Sequence, residues 1–259
     1  MRTAFLMALA LMAQQAMAAD DDEIVTDRPD FVESSNVVGK GRLQLETSVA
    51  LERNRNAGAR ERSVLTPALL RVGVSDTLEL RAETDGRLRY RSDGPDGALR
   101  QSGYTDTAIG LKWHARDEEG SMPSIGFLLH ADLASGSRAF RGQGVRPSLR
   151  MAAEWELPND YSLGIMPGVI RDRNEQGEHA VNGIFGIVLG KSWTERFRTF
   201  VELSAPQIAR GKNGGTQATF DVGGAWLLSR NCQVDLAYSR GLTRETPDHY
   251  VTIGFSYKL

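Results

Sequence analysis

The sequence predicts an all-β fold, a transmembrane antiparallel up-and-down β-barrel of about twelve strands with both termini on the periplasmic side. Three observations carry this prediction: an export signal at the N-terminus, apolar residues at every second position, and connections that alternate between long and short. The mean hydropathy of −0.34 is compatible with this fold, because a barrel strand needs only every second residue to be apolar. The 31 Lys and Arg against 33 Asp and Glu argue against a nucleic-acid-binding protein, which ordinarily shows a basic excess.

The N-terminus predicts export. Residues 1–18 carry Arg2, then an apolar run from Ala4 to Ala13, and then Ala16-Met17-Ala18, a small-x-small cleavage pattern. This arrangement is typical of a cleaved secretory signal peptide. The alternative is an N-terminal anchor helix, but the apolar run is shorter than the about 20 residues that span a bilayer. We therefore expect a signal peptide at 1–18, a periplasmic N-terminal segment at 19–40 and a barrel at 41–259.

Period-two alternation marks the strands. It is clear at both ends of the predicted barrel, where Leu43, Leu45, Val49 and Leu51 alternate with polar residues and where 251–259 repeats the pattern. Such alternation indicates strands with one apolar face and one polar face. Further strands are predicted near 64–73, 77–85, 104–115, 124–133, 146–156, 161–171, 180–190, 197–205, 217–227 and 233–240. In two of these, 64–73 and 180–190, both faces carry apolar residues.

The connections alternate in length. Short turns are predicted at Val74–Asp76, Leu157–Asp160, Lys191–Arg196 and Leu228–Cys232, and the connection Arg116–Pro123 on the same side is somewhat longer. Long loops are predicted at 53–62, 86–103, 134–145, 172–179, 206–216 and 241–249. Transmembrane β-barrels show this order, with short periplasmic turns and longer external loops. Aromatic residues at or near strand ends on the short-turn side favour an interfacial girdle; they are Trp113, Trp155, Tyr161, Trp193, Trp226 and Tyr257.

Several sequence motifs resemble a known family. They are Thr26–Phe31 (TDRPDF) followed by Glu33-Ser34, Thr66–Arg71, Leu78–Arg81, Thr107–Trp113 and Phe255–Leu259. The chain resembles the outer-membrane proteins grouped as the "MetA-pathway of phenol degradation" family, over essentially the whole mature length. The resemblance implies a Gram-negative outer-membrane barrel that moves small compounds, with aromatic ones as candidates, and it supplies no catalytic residues. Such barrels usually end in an aromatic residue that the barrel assembly machinery, an expected partner, reads. Here the chain ends in Leu259, and Tyr257 stands two residues earlier.

The polar face of the strands predicts the lumen lining. The charged candidates are Glu46, Arg71, Glu79, Arg81, Glu83, Asp106, Lys112, His114, His130, Asp132, Arg146, Arg150, Glu154, Glu202, Asp221 and Asp235. Two interpretations stay open: an ion-pair network that fills the lumen, or a polar channel or binding site. In the hairpin around Ser75, a pairing of Val72 with Leu78 would place Arg71 opposite Glu79.

The segment before the barrel predicts a latch or plug. It combines charged groups, a rigid proline and an aromatic ring in the run Asp27, Arg28, Pro29, Asp30 and Phe31. An Arg flanked by carboxylates suits docking into a mixed-charge lumen or its periplasmic mouth. The alternative is a disordered tether.

The predicted external loops are rich in arginine. The candidates are Arg53, Arg55, Arg60, Arg62, Arg87, Arg89 and Arg91, with further arginines at 100, 138, 141, 173, 210 and 244. Guanidinium groups suit the phosphates of lipopolysaccharide, so outer-membrane lipid and lipopolysaccharide are expected partners. The alternative is that these arginines only keep exposed loops soluble.

The sequence favours transport over catalysis. His130, Asp132 and Ser135 form the only local cluster of a kind that nucleophilic catalysis uses, and no metal-ligand spacing stands out. We therefore expect no enzyme activity, no cofactor and no metal. The leading hypothesis is an outer-membrane transporter or channel for small solutes. The alternatives are a non-conducting structural barrel that binds lipopolysaccharide or a partner and, less favoured, an outer-membrane lipid hydrolase.

Overall fold

A computed structural model describes residues 23–56, 58–95, 97–173 and 177–259. The predicted signal peptide lies outside these residues. The described chain forms the strands β1 (Leu43–Asn56), β2 (Ala59–Leu65), β3 (Ala68–Gly73), β4 (Leu78–Thr84), β5 (Arg87–Gly94), β6 (Gly97–Tyr104), β7 (Thr107–Arg116), β8 (Ser124–Leu133), β9 (Arg146–Leu157), β10 (Tyr161–Arg173), β11 (His179–Thr194), β12 (Phe197–Ile208), β13 (Gln217–Ser229), β14 (Cys232–Gly241) and β15 (His249–Lys258). A short 3₁₀ turn, Gly211–Asn213, lies between β12 and β13.

The strands form one closed antiparallel barrel. Each of three barrel strands is made of two consecutive segments, β2 with β3, β4 with β5, and β6 with β7, so the described segments make twelve barrel strands. The barrel closes where β1 pairs with β15, from Gln44 opposite Lys258 to Arg53 opposite His249. Leu43 and Leu259 each donate a backbone hydrogen bond to the other at 3.3 and 2.7 Å. The predicted twelve-strand up-and-down barrel is confirmed. Among the described residues, no helix is long and apolar enough to cross a membrane.

The two faces of the wall differ as the alternation predicts. Leu45, Val49 and Ile253 point outward and are exposed, whereas the neighbouring Gln44 and Glu46 point inward and are fully buried. A closed barrel satisfies every backbone hydrogen bond between strands, so its outer face can contact lipid without unpaired polar groups. The outer face therefore forms an apolar belt around the barrel.

The barrel has a short-turn end and a long-loop end. Turns such as Val74–Thr77 and Pro158–Asp160 lie at the short-turn end, where β1 begins and β15 ends. The long-loop end carries the connection 134–145 between β8 and β9. The end of β1, the start of β2 and the hairpin of β5 and β6 lie at the same end. The six aromatic residues of the predicted girdle lie in strands close to the short-turn end, and Trp113, Trp193 and Trp226 are exposed on the outer face.

Two predicted long loops are wrong, because 53–62 and 86–103 are largely strand. β1 continues to Asn56 and returns as β2, and β5 and β6 form a hairpin that turns near Pro95. Together these segments extend the barrel wall beyond the long-loop end as a four-stranded sheet, which we call the extension. The run of arginines suggests a loop, but alternation of charged and less exposed residues continues through it, and Asp93-Gly94-Pro95 supplies the hairpin turn.

The predicted pairing in the β3–β4 hairpin is also wrong. Val72 faces Leu80, and Arg71 faces Arg81, so the register differs by two residues from the predicted one. The turn is longer than assumed, because Val74 and Ser75 both donate to the Leu78 carbonyl oxygen. A shift of two residues does not change the face of the sheet on which each side chain lies, so every inward residue stays inward.

A charge placed in the apolar belt is expected to destabilise the barrel. Ile253→Arg, on a side chain that is 64% exposed within the belt, should lower the free energy of unfolding in lipid vesicles by about 2–4 kcal/mol. The matched control is Val181→Arg, an outward residue near the long-loop end of β11 that is 70% exposed; it should cost about 0–1 kcal/mol. Urea unfolding in vesicles measures both values. Equal effects of the two substitutions would contradict the assigned belt.

Candidate functional site in the barrel lumen

Residues 24–38, which we call the lumenal segment, lie inside the barrel at the short-turn end. The amide of Ile24 donates to the Arg230 carbonyl at 2.7 Å, and the amide of Val38 donates to Glu79 at 2.9 Å. Between these points the segment forms hydrogen bonds to inward side chains of nine barrel strands. These side chains are Gln44, Glu46, Arg71, Glu79, Arg81, Lys112, His114, Ser124, Arg150, Glu154, Arg198, Glu202, Gln233, Asp235 and Thr252.

Asp27 binds three buried cations. Its carboxylate accepts hydrogen bonds from Lys112 Nζ at 2.8 and 2.9 Å and from Arg81 Nη1 at 2.8 Å. Arg71 Nη1 lies 3.4 Å from the same carboxylate. The three cationic side chains are at most 1% exposed. They come from β3, β4 and β7, which are neighbours in the barrel wall.

Two wall carboxylates complete the cluster around Asp27. Arg71 Nε lies 2.9 Å from Glu79 Oε1, and Arg71 Nη1 lies 3.1 Å from Glu46 Oε1. Glu46 also accepts the backbone amide of Asp27. We call six residues the Asp27 cluster: Asp27, Glu46, Arg71, Glu79, Arg81 and Lys112. Within the cluster three cations face three carboxylates, and Arg81 Nη2 also lies 2.6 Å from Glu33, so the lumenal segment supplies two carboxylates to these cations.

The charge of Asp27 is fixed by its surroundings. Burial alone would raise the pKa of this carboxyl, but Arg71, Lys112 and Arg81 hold the pKa below its ordinary value of 3.8. A carboxyl whose folded pKa is lowered stabilises the fold fully above its unfolded pKa and loses that contribution only as the pH falls towards the folded value. We therefore expect the Asp27 contacts to persist through the neutral and mildly acidic range.

A second contact is apolar. Phe31 and Val32 pack against Met166, Val188 and Phe200, which point inward from β10, β11 and β12. The sequence prediction missed this inward apolar patch. The signal for it was apolar residues on both faces of 180–190. Beside the patch, the amides of Phe31 and Val32 donate to Glu202, the wall carboxylate named among the lumen candidates, at 2.8 and 2.7 Å.

Further ion pairs hold the segment at other points of the circumference. Arg28 Nη2 lies 3.3 Å from Asp235 and donates to Thr252 at 2.8 Å. Arg150 donates to Glu33 at 2.9 Å. Asp30 lies 3.5 Å from Arg198, on the wall near Arg28. The segment therefore contacts opposite sides of the lumen through charged groups of both signs.

Glycines in the wall leave room for the segment. A Cβ atom at Gly126 would lie 2.6 Å from the Ser35 carbonyl oxygen, and one at Gly186 would lie 2.7 Å from Val32 Cγ2. Both positions point inward, where β8 and β11 approach the segment. A side chain at either position would overlap it.

Six predicted lumen residues make no hydrogen bond or ion pair to the lumenal segment in the described structure. They are Glu83, Asp106, His130, Asp132, Arg146 and Asp221. Asp106 instead accepts the amides of Gly136 and Gly142, each at 2.9 Å, and so orders the 134–145 connection. Asp221 bonds locally to Ser204 and Thr219.

The predicted local cluster of His130, Asp132 and Ser135 does not assemble as a catalytic site. Neither ring nitrogen of His130 has a hydrogen-bond partner, and its charged neighbour is Glu83 at 3.5 Å. The Ser135 hydroxyl bonds to the backbone of Leu133 and Thr107. A nucleophile needs a base within hydrogen-bond reach, and these three residues provide no such pair.

A cavity of about 630 Å³ lies on the long-loop side of the segment. We call it the vestibule. Asp30, Phe31 and Glu33 of the segment line it, together with wall and loop residues. Its wall and loop lining includes Glu83, Asp85, Asp106, Asp132, Phe140, Arg141, Arg146 and Arg150. The segment therefore borders a polar space that lies between it and the long loops.

The seven arginines predicted to contact lipopolysaccharide lie outside the lumen. They are Arg53, Arg55, Arg60, Arg62, Arg87, Arg89 and Arg91, and all stand on β1, β2 or β5 in the extension. Their side chains are exposed.

A closed twelve-strand barrel with an apolar outer belt and a charged lumen is a transmembrane β-barrel protein. Within that class, the chain belongs to the family described as "Putative MetA-pathway of phenol degradation", which matches residues 26–259. The family suspected from the TDRPDF motif is thereby confirmed.

Solved structures share this fold. An outer membrane channel from Pseudomonas putida F1 matches with a TM-score of 0.63 and 13% identity, covering 94% of this chain and all of that one. The NanC porin matches with a TM-score of 0.52 and 10% identity, covering 84% of this chain and all of that one. A search of the curated proteins finds no match to this sequence.

Removing the charge of Asp27 is expected to destabilise the protein. Asp27→Asn leaves three buried cations with one carboxylate fewer, and breaking a buried ion network from one side costs about 3–5 kcal/mol. Asp76→Asn, in the exposed β3–β4 turn, is the matched control and should change stability by less than about 0.5 kcal/mol. Urea unfolding of the two variants in the same vesicles compares them. A loss at Asp27 no larger than at Asp76 would show that the cluster contributes nothing.

Proposed function

We propose that the protein is an outer-membrane channel or transporter for small solutes, and that the lumenal segment closes its lumen. Closed antiparallel barrels with an outer apolar belt are the proteins of the Gram-negative outer membrane, and the chain is an outer-membrane protein. In such barrels the short turns face the periplasm, so we assign the short-turn end to the periplasm and the vestibule to the outside.

One observation carries the proposal: the short-turn half of the lumen is filled by a segment, while the long-loop half is a cavity. Inward side chains alone can fill the lumen of a barrel of about eight strands, and only larger barrels leave a channel. A barrel that needs only a filled lumen therefore has no need of a separate segment. Here the filling comes from the lumenal segment, whose backbone is tied to the wall by side chains. Displacing it would join the vestibule to the periplasmic side.

The lining of the vestibule supports a polar or amphipathic solute. Charged groups of both signs face the cavity, and the rings of Phe31 and Phe140 border it. Binding sites for small molecules combine an apolar surface with a few placed polar groups. A small aromatic compound with a polar substituent fits this combination, and the family description also associates such barrels with phenol degradation.

Removing the segment is expected to open the lumen. Deleting residues 20–34 from the mature chain removes Asp27 and Phe31 with their contacts, so single-channel conductance in planar bilayers should rise several-fold over that of the full mature chain. The heat stability of the folded barrel should fall, because the cations of the Asp27 cluster lose a partner. Unchanged conductance together with unchanged heat stability would refute a plug, and a closed barrel after deletion would favour a non-conducting structural role.

A covalent lock tests whether the segment must move during transport. In a Cys232→Ala background, Val32→Cys with Gly186→Cys places two thiols at positions in direct contact, because a Cβ at 186 would lie 2.7 Å from Val32 Cγ2. A disulfide joins side chains at such close approach, with an S–S bond of about 2.0 Å. We expect solute flux to be lost after oxidation and restored by reduction. Each single-cysteine variant is the control and should be insensitive to oxidant. Equal flux in the oxidised and reduced lock would show that transport bypasses the segment.

Ion selectivity should follow the charge of the vestibule. Eight carboxylate and five guanidinium side chains line the cavity, and rings of Asp and Glu favour cations. Glu83→Gln with Asp85→Asn should therefore shift the reversal potential in a salt gradient towards anions. Asp160→Asn with Glu195→Gln, both exposed at the short-turn end, is the charge-matched control. Equal shifts in both variants would contradict a selectivity set by the vestibule.

A further inference from the structure

A continuous row of basic residues crosses the outer face of the extension and of the adjacent strands β14 and β15. Six residues stand directly opposite one another across six adjacent strands, in the order Arg240, His249, Arg53, Arg62, Arg91 and Arg100. We call them the basic row. With strands about 4.8 Å apart, the row runs for about 24 Å across the wall. The sequence shows these arginines, but only the strand register places them in line.

Without a bound counter-charge, the basic row destabilises the strand pairs that carry it. Like charges directly opposite each other in an antiparallel pair destabilise it, and Arg53, Arg62, Arg91 and Arg100 are four in succession. Arg91 is ion-paired with Asp93 at 2.7 Å. Among the described residues, Arg53 and Arg62 have no ion-paired or hydrogen-bonded acidic side chain. These two arginines therefore have no paired carboxylate in the part of the chain that the structure describes.

The basic row lies directly beyond the apolar belt, and this position indicates which kind of ligand it contacts. The next row towards the short-turn end contains Tyr238, Val251, Leu51 and Val64, which pair with one another in the same register. The basic row follows two residues later on the same outward face, about 7 Å along the strands. In a membrane-spanning barrel this is the level of the lipid headgroups.

A cleft accompanies the row. A cavity of about 680 Å³ is lined by six arginines and by three acidic residues, so its charge is basic in balance. The arginines are Arg53, Arg55, Arg60, Arg62, Arg91 and Arg240, and the acidic residues are Glu61, Asp93 and Asp248. Guanidinium groups bind phosphate through two parallel hydrogen bonds, and they do so with fixed geometry. We propose that the basic row is a docking surface for the phosphate groups of lipid A, the lipid part of lipopolysaccharide in the outer leaflet. This proposal uses the assignment of the long-loop end to the outside, and it does not depend on whether the lumen conducts.

Binding of purified lipid A to the detergent-solubilised mature protein tests the proposal. Arg53→Gln with Arg62→Gln and Arg100→Gln should weaken binding of lipid A that carries both phosphates by at least about tenfold, because charge-assisted contacts to phosphate are lost. The control, Arg138→Gln with Arg210→Gln and Arg244→Gln, removes the same charge from loops at the same end and should stay within about twofold of the parent. Heat-modifiable migration on gels verifies that each variant is folded. If the triple variant fails to fold, Arg62→Gln alone should weaken binding by about threefold or more.

Two further probes separate the phosphate of the lipid from other anions. Lipid A from which both phosphates have been removed should bind at least about tenfold more weakly than the intact form. Inorganic pyrophosphate at the same concentration as lipid A should not displace it. Unchanged lipid A affinity in the row variant, equal affinity for the dephosphorylated lipid, or displacement by equimolar pyrophosphate would each overturn the proposal. Loss of channel activity in the deletion variant has no bearing on these outcomes.

Discussion

The ion pairs of the Asp27 carboxylate are the interaction on which the position of the lumenal segment depends. Arg71, Arg81 and Lys112 are buried on three neighbouring strands, and Arg71 directly faces Arg81 across the β3–β4 pair. Buried cations must be compensated by nearby carboxylates, since an unpaired buried charge costs several kcal/mol. The wall supplies Glu46 and Glu79, and the lumenal segment supplies Asp27 and also Glu33, which lies 2.6 Å from Arg81. Without the segment, the buried cations on this side of the barrel wall therefore outnumber the buried carboxylates of the wall that pair with them.

The apolar patch on the opposite wall gives the segment its orientation. Phe31 and Val32 follow Asp27 by four and five residues, and they reach Met166 and Phe200 while Asp27 stays in its cluster. A segment that turned the other way would place an aromatic ring among buried cations and a carboxylate against an apolar wall. Both placements are costly, because an unpaired charge and an unfilled apolar surface each raise the free energy. The two unlike walls of the lumen thus select one arrangement.

The sequence predicted what is periodic and missed what depends on distant partners. Alternation at Leu45, Val49 and Ile253 assigned the outer face correctly, because side-chain direction along a strand has a period of two. The sequence predicts loops where the extension lies, since arginine-rich runs are common in loops and carry no apolar face. The partners of Asp27 and Arg28 could not be predicted, because Lys112 and Asp235 lie 85 and 207 residues away along the chain. A motif can show that a segment docks. The side chains that it contacts are determined only when the barrel closes.

The charge balance of the Asp27 cluster also limits how the segment can leave. With the segment in place, the cluster is buried from solvent, and its charges interact strongly because the local dielectric constant is low. With the segment displaced, water enters, and hydration takes over the role of the lost carboxylate. A state in which Asp27 has left while the cluster remains dry combines both costs, uncompensated charge and missing solvent. Arg71, Arg81 and Lys112 share the carboxylate, so their contacts cannot be broken one at a time without passing through such a state. Opening by displacement should therefore be all-or-none, with the segment and the entering water exchanging places together.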